Sequence, residues 1–144
     1  WRWHGFLCKY TKKKTTPASA SDDGLLLVHG FGASGAQWKR TLSEFPSNQR
    51  ALAPDLIGFG EAEKPPLTYT QYLWNSFTSD FIKDVALGRE QWESYVCGGN
   101  SIGGFTSMSA AADDSTTTQG GILSSSGAPG TGRCAGLVLM NTAG

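Results

Sequence analysis

The chain has 144 residues, 39% of them apolar, which suits one domain with a single hydrophobic core. Twelve Lys and Arg residues balance twelve Asp and Glu residues, so no basic excess favours binding to nucleic acid or to an anionic membrane surface. The longest apolar runs, such as residues 25–28 and 137–140, are far shorter than the ~20 residues of a membrane-spanning helix.

The first third of the chain predicts two kinds of strand and a helix. Residues 1–10 alternate bulky and polar side chains around a glycine, which predicts one or two short antiparallel strands at a sheet edge. The continuous apolar run LLLVHG at 25–30 predicts a parallel strand buried on both faces. From Ser34 to Phe45 apolar residues recur every three or four positions, which predicts a helix with Ser34 at its N-cap. Residues 50–55 predict a second short strand.

Helix and strand patterns continue to alternate in the middle of the chain. Apolar residues at four-residue steps between Tyr69 and Leu87 predict the best-defined helix of the sequence. Residues 93–97 predict another strand, which we expect to end at Gly98 and Gly99.

The last part of the chain predicts a helix, a polar segment and a buried strand, at 103–112, 113–132 and 137–141. The segment 113–132 is rich in Ser, Thr and Gly and is predicted to be a flexible insertion. Strands alternating with helices indicate the α/β class, with a mostly parallel sheet covered by helices on both faces.

The cysteines and the only basic run carry no sign of a site. Cys8, Cys97 and Cys134 have neither metal-binding spacing nor the even number of a disulfide framework, which predicts no metal and favours a reducing compartment. The three lysines at 12–14 are predicted to form a solvated turn.

Residues 99–103, Gly-Asn-Ser-Ile-Gly, match the Gly-x-Ser-x-Gly pattern between a predicted strand and a predicted helix. Gly99 and Gly103 allow a tight turn that lifts the hydroxyl of Ser101 clear of the sheet, so Ser101 is the predicted nucleophile. The helix that follows begins with free N–H groups, and Ile102 N–H is a predicted oxyanion donor.

A second glycine-bounded turn, at residues 29–32, ends the first buried strand. Because the carboxyl ends of parallel strands share one edge of a sheet, we expect this turn beside Ser101. Phe31 N–H is therefore the second predicted oxyanion donor, with His29, Gly30 and Gly32 shaping the turn.

Four segments in this order, LLLVHGFGASGAQWKR, DLIGFGEAEKP, GGNSIGG and LVLMN, resemble the α/β-hydrolase superfamily. With the opening WRWHGFLCKY, they are similar to plant and algal hydrolases related to pheophytinase. This resemblance implies that residues 1–144 form the N-terminal portion of one α/β-hydrolase domain. It also implies an acyl-enzyme at Ser101, a small-molecule substrate with an ester or related acyl bond, no cofactor, a structural role for His29, and a plastid as one destination.

The sequence departs from the family pattern after the serine. The triad order of that family is serine, acid, histidine, yet the two histidines, His4 and His29, both precede Ser101. Neither is predicted to be the base, and Asp113 and Asp114 are not assigned catalysis. We expect the acid, the base and a cap to lie outside this chain. By itself the chain is expected to be inactive and, with its last strand unpaired on one side, poorly soluble.

Two other functions compete with hydrolysis. Residues 30–35 also match Gly-x-Gly-x-x-Gly, and Asp55 follows twenty residues later, as in a Rossmann unit that binds a nicotinamide dinucleotide. That interpretation leaves the glycines around Ser101 unexplained. The third candidate is a noncatalytic, hydrolase-like ligand-binding module, which sequence beyond residue 144 would distinguish. The sequence leaves the oligomeric state open.

Overall fold

The computed structural model describes residues 1–16, 22–117 and 133–142. Strands β1 (Arg2–Trp3) and β2 (Phe6–Leu7) pair as a separate antiparallel hairpin. The main sheet has the order β3-β5-β4-β6-β7. Its strands are β3 (Tyr10–Lys12), β4 (Asp23–Val28), β5 (Arg50–Pro54), β6 (Ser94–Asn100) and β7 (Cys134–Met140).

The main sheet is parallel except at one edge. Strand β4 pairs in parallel with β5 and β6, and β6 pairs in parallel with β7. Strand β3 pairs antiparallel with β5 and lies at the edge. The short antiparallel strands predicted within residues 1–10 are β1 and β2, which lie in a separate sheet and not at the edge of the main one. The mostly parallel sheet expected from the sequence is confirmed.

Three α-helices of the described residues cover the sheet. A 3₁₀ turn, Gly35–Trp38, leads into α1 (Lys39–Glu44), and the Ser34 hydroxyl accepts a hydrogen bond from Ala36 N–H at its start. Helix α2 (Gln71–Phe81) continues as a π-helix over Ile82–Arg89, and α3 spans Ile102–Thr117. None of the helices in the described part of the chain has the length and apolar character of a membrane span.

Alternate residues of β4 enter two different cores, because successive side chains of a strand point to opposite faces. Leu26 and Val28 join the larger core, which includes buried residues of α2 and α3. Leu27 packs on the other face with Trp38 and Leu42, next to α1. Helices therefore lie on both faces of the sheet, as predicted.

The predicted end of β6 at Gly98 and Gly99 is wrong, because both glycines lie inside the strand. A Cβ on Gly98 would lie 3.2 Å from the Leu27 side chain and 3.4 Å from Val138. A Cβ on Gly99 would lie 2.2 Å from the backbone of Gly103. These glycines let neighbouring strands and α3 approach closely rather than ending the strand.

The predicted flexible insertion at 113–132 is wrong at its start, since α3 runs to Thr117. Tertiary contacts extend the helix beyond its apolar part. The Ser79 hydroxyl donates a hydrogen bond to the Asp113 carboxylate, and the Asp114 carboxylate accepts a hydrogen bond from Cys134 N–H at 2.8 Å. Residues 118–132 of the predicted insertion lie outside the described residues.

Strand β7 is predicted to be buried, and this is also wrong. It lies at the end of the strand order, and within the described residues it pairs with β6 alone. Leu137, Val138 and Leu139 are 40–48% exposed. Among the described residues, β7 is therefore unpaired on its outer side.

The lysines at 12–14 only partly form the predicted solvated turn. Lys12 ends β3 and pairs with the Glu90 carboxylate at 2.6 Å, because β3 passes the end of the π-helix. Lys13 donates to the carbonyl of Pro46 at 2.9 Å. A cavity of about 250 Å³ opens here, lined mainly by Lys12, Lys13, Thr15, Arg50, Glu90 and Trp92. Arg50 begins β5, whereas Ser101 follows the end of β6. Because both strands run parallel to β4, the cavity lies at the amino ends of the parallel strands and Ser101 lies at their carboxyl ends.

Candidate active site

Ser101 occupies the turn between β6 and α3 with a backbone φ of +56°. This left-handed conformation costs an L-residue about 1–2 kcal/mol, so the surrounding contacts must hold it. Its N–H donates to the carbonyl of Met140 at 3.0 Å, and its carbonyl accepts from Gly104 N–H at 2.9 Å and Phe105 N–H at 3.2 Å. Its half-buried hydroxyl makes no hydrogen bond within the described part of the chain.

Gly103 allows α3 to start close against the sheet. A Cβ at Gly103 would lie 2.3 Å from the carbonyl oxygen of Val28 and 2.5 Å from that of His29. Any side chain there would push α3 away from the end of β4. The two glycines of the Gly-x-Ser-x-Gly pattern therefore serve packing on opposite sides of Ser101.

The turn after β4 contacts the turn that carries the serine. A Cβ on Gly30 would lie 3.4 Å from the Cβ of Ser101 and 3.4 Å from the carbonyl oxygen of Asn100. Gly30 N–H donates to the Gln37 side chain at 3.2 Å, which braces this turn against the 3₁₀ segment. Both predicted turns lie at one edge of the sheet and touch each other.

His29 is fully buried and holds this corner with both ring nitrogens. Its Nε2 accepts a hydrogen bond from Leu56 N–H at 2.9 Å, so Nδ1 carries the proton and donates to the Gly30 carbonyl at 2.7 Å. Burial lowers the pKa of His29, although the Gly30 carbonyl and the Asp55 carboxylate oppose that shift. The ring is thus neutral and committed to backbone groups, which is a structural role.

The bond from His29 also orients the following peptide. The Gly30 carbonyl accepts from His29 Nδ1 and from Ala33 N–H at 3.2 Å. In a planar trans peptide the N–H points opposite to the carbonyl, so Phe31 N–H faces away from those two donors. Among the described residues, no protein group accepts from Phe31 N–H or from Ile102 N–H. These are the two N–H groups that the sequence predicts as oxyanion donors.

The Asp55 carboxylate holds the loop that follows β5 by hydrogen bonds to backbone N–H groups. The sequence analysis did not predict this structural role. Its Oδ1 accepts from Gly35 N–H and its Oδ2 from Glu61 N–H, each at 2.7 Å. Cβ atoms on Gly60 and Gly35 would lie 2.3 Å and 3.1 Å from the carboxylate oxygens. The two glycines that close around Asp55 are the signal that could have revealed this role. Because the Asp55 carboxylate is only 6% exposed and is bonded to the loop backbone, it is not presented to a ribose.

Two further side chains that could act as a base or a nucleophile, His4 and Cys97, are engaged or buried elsewhere. His4 lies in the β1–β2 turn, where its ring approaches the Asp80 carboxylate at 3.8 Å. Cys97 is fully buried within β6, and burial raises its thiol pKa to about 12. Within the described residues, no three His, Cys, Asp or Glu side chains are grouped to bind a metal.

Residues 25–143 match the sequence profile of the alpha/beta hydrolase family, which covers most of the chain and both turns of the candidate site. The chain belongs to the alpha/beta hydrolase family. The superfamily expected from the four segments is therefore confirmed, while the similarity to hydrolases related to pheophytinase stays a prediction.

Two curated relatives of this alpha/beta hydrolase chain are bacterial enzymes that match about half of it. It is 36% identical over 87 residues to a 2-hydroxy-6-oxo-6-(2'-aminophenyl)hexa-2,4-dienoic acid hydrolase of Metapseudomonas resinovorans, covering 58% of this chain and 29% of the relative. It is 32% identical over 80 residues to a haloalkane dehalogenase of Mesorhizobium japonicum, covering 52% and 26%. These matches span less than a third of each relative's length.

Solved structures match over nearly the whole chain. An esterase from Thermogutta terrifontis superimposes with a TM-score of 0.69 at 25% identity, covering 95% of this chain and 41% of the esterase. A membrane phospholipase A superimposes with a TM-score of 0.70 at 23% identity, covering 97% of this chain and 37% of that protein. The second match, at lower identity, speaks for the fold alone.

Proposed function

We propose that this chain supplies the nucleophile and oxyanion donors of a serine hydrolase that cleaves ester or related acyl bonds in small molecules. The observation that carries the proposal is the left-handed backbone of Ser101, whose hydroxyl is free of hydrogen bonds within the described residues and adjoins the Gly30 turn. Maintaining this costly conformation at a half-buried serine is consistent with a reactive hydroxyl. The esterase and hydrolase relatives favour the same class of reaction.

In the proposed reaction, Ser101 Oγ adds to the substrate carbonyl carbon while its proton passes to a base. The carbonyl π electrons move to oxygen, and the resulting oxyanion accepts hydrogen bonds from Phe31 N–H and Ile102 N–H. One such donor is worth about 3–4 kcal/mol of transition-state stabilisation in other hydrolases. When the intermediate collapses, the bond from the carbonyl carbon to the leaving oxygen breaks and the base returns its proton to that oxygen. A neutral alcohol departs and an acyl-enzyme remains, which water then hydrolyses.

The base and the acid of the proposed triad come from outside residues 1–144. No histidine follows Ser101 in this sequence, and the ring nitrogens of His29 are both bonded to backbone groups. We therefore expect residues 1–144 alone to be hydrolytically inert and, because the apolar edge of β7 is open, poorly soluble. A monomeric, cooperatively melting 144-residue protein with esterase turnover would contradict this expectation.

Labelling of the full gene product with a fluorophosphonate probe tests the nucleophile. We expect one labelled site, at Ser101, and loss of labelling in Ser101→Ala. Ser94→Ala is the matched control, because Ser94 begins β6, the strand that Ser101 follows, and donates to Asp23 instead. Labelling that persists in Ser101→Ala would refute the proposal.

The same protein, titrated with NAD(H), separates the competing functions. An unlabelled serine together with tight nucleotide binding would favour the dinucleotide-binding function. An unlabelled serine without nucleotide binding would favour a noncatalytic module. Because the Asp55 carboxylate is buried and bonded to the loop backbone, we expect no nucleotide binding.

A further inference from the structure

A continuous group of aromatic rings extends from the oxyanion turn. Phe31 contacts Phe59 edge-to-face at 5.1 Å between ring centroids, and Phe59 contacts Trp74 at 5.6 Å. Tyr69 stacks on Trp74 at 6.1 Å. We call these four residues the aromatic wall. It joins three separate parts of the chain: the turn after β4, the loop after β5 and the start of α2.

The inner part of the wall is fixed by hydrogen bonds. The indole N–H of Trp74 donates to the carbonyl of Ile57 at 3.1 Å, and the Tyr69 hydroxyl donates to that of Pro65 at 2.7 Å. Gly58 has a φ of +92°, and a Cβ there would lie 2.4 Å from the Tyr69 ring. The backbone is thus shaped to admit these rings, and the wall is a preformed surface.

The outer end of the wall presents an exposed ring on the residue that follows Gly30. Phe31 is 71% exposed, whereas Trp74 is buried and Phe59 is half-buried. Phe31 directly follows Gly30, where a Cβ would lie 3.4 Å from the Cβ of Ser101. An exposed aromatic side chain joined to a rigid apolar cluster marks a binding surface better than a scattered one. Because Phe31 also offers the free N–H, its ring lies within one side-chain length of the expected oxyanion.

We propose that the aromatic wall binds a flat aromatic ring of the substrate, close to the carbonyl that Ser101 attacks. This inference rests on the proposed function and names its substrate class: esters whose acyl portion carries an aromatic ring. Ring pairs prefer edge-to-face or offset geometry, which Phe31 and Phe59 already adopt and which a planar substrate ring can continue. A saturated ring of similar size is thicker and lacks the positive edge and negative face that these contacts use.

Matched esters test the substrate class in the full gene product. Ethyl phenylacetate and ethyl cyclohexylacetate share the scissile bond and nearly the same size, and differ in aromaticity. Since an aromatic pair contributes about 0.5–1.5 kcal/mol beyond area burial, we expect kcat/KM to favour phenylacetate about 2- to 12-fold.

Substitutions in the aromatic wall test whether its rings cause the preference for the aromatic ester. Phe31→Leu and Phe59→Leu should each move the kcat/KM ratio of the two esters toward one. The control is Tyr72→Leu, because Tyr72 is an 83% exposed aromatic residue of α2 outside the wall, and it should keep the parent ratio. Equal turnover of both esters by the parent, or an equal loss with both esters in the two wall variants, would overturn the inference.

The outcomes separate this inference from the proposed function. Serine labelling with turnover of both esters at the same kcat/KM would leave the hydrolase intact and refute the aromatic preference. That result would indicate that another part of the protein covers the wall. Absence of both labelling and turnover would refute the hydrolase, and with it the substrate class.

Discussion

Gly103 lies against the carbonyl oxygen of Val28, which a Cβ at position 103 would approach to 2.3 Å. Val28 ends β4, the strand whose following turn holds Gly30, and Gly103 lies in the first turn of α3, just after Ser101. This contact therefore sets the distance between the proposed nucleophile and the proposed oxyanion turn. A change that is small in volume can disturb both stability and catalysis here.

Gly103→Ala should destabilise the full gene product by about 1–3 kcal/mol, because a methyl group has no space beside the Val28 carbonyl. Urea unfolding measures the effect. Gly136→Ala is the control, since a Cβ at Gly136 in β7 would meet Val96 at an ordinary 3.8 Å. It should change the free energy of unfolding by less than about 0.5 kcal/mol. Equal effects of the two substitutions would contradict the close packing of α3 on β4.

Ser101→Gly should unfold with a free energy about 1 kcal/mol higher than Ser101→Ala, because glycine tolerates the +56° φ and alanine does not. Both variants lose the hydroxyl, so we expect both to lose labelling. Ser43 in α1 provides the control pair: there the order should reverse, with alanine about 1 kcal/mol more stable than glycine. A more stable alanine at both positions would argue against the left-handed turn.

Local patterns predicted most of the fold because each relied on contacts close in sequence. The run at 25–28 is apolar throughout, since Leu26 and Leu27 face opposite cores. Gly99 and Gly103 lie two residues on either side of Ser101, and this spacing predicted the tight strand-to-helix turn because few other local structures need a glycine at both positions. The meeting of the two turns also followed from sequence, since parallel strands end at one edge.

Long-range contacts account for what the sequence could not predict. Asp114 extends α3 by accepting a hydrogen bond from Cys134 N–H, twenty residues away. Lys12, predicted to lie in a solvated turn, instead forms an ion pair with Glu90. The exposure of β7 depends on what lies beside it, which its own apolar composition does not reveal. Asp55 suited a ribose as well as a loop, and the backbone N–H groups that it binds were not visible in the sequence.

Asp55→Asn should destabilise the protein by about 1–3 kcal/mol, because the new amide N–H₂ would face the N–H of Gly35 or Glu61 in place of an acceptor oxygen. Thermal or urea unfolding measures the loss. Asp84→Asn, at an exposed position of the π-helix, should be nearly neutral. Unchanged stability in Asp55→Asn, together with NAD(H) binding by the parent, would restore the dinucleotide-binding interpretation.

The buried ring of His29 should make stability depend on pH below neutrality. Burial lowers its folded-state pKa, so the unfolded chain takes up a proton near pH 6.5 while the folded ring stays neutral. The stability is therefore fully present above the unfolded pKa of about 6.5 and is lost as the pH falls toward the lower folded pKa. Urea unfolding at pH values of about 7.5, 6.5 and 5.5 should show this decrease.

His29→Gln isolates that contribution. It should lower stability by about 1–3 kcal/mol at neutral pH, because the bonds to Leu56 N–H and the Gly30 carbonyl are disturbed. Its decrease between pH 7.5 and 5.5 should be smaller than that of the parent, since glutamine does not titrate. His4→Gln, at the exposed histidine of the β1–β2 turn, serves as the control and should retain the His29-dependent decrease. The same pH dependence in His29→Gln and the parent would show that His29 is not held neutral by the bonds described above.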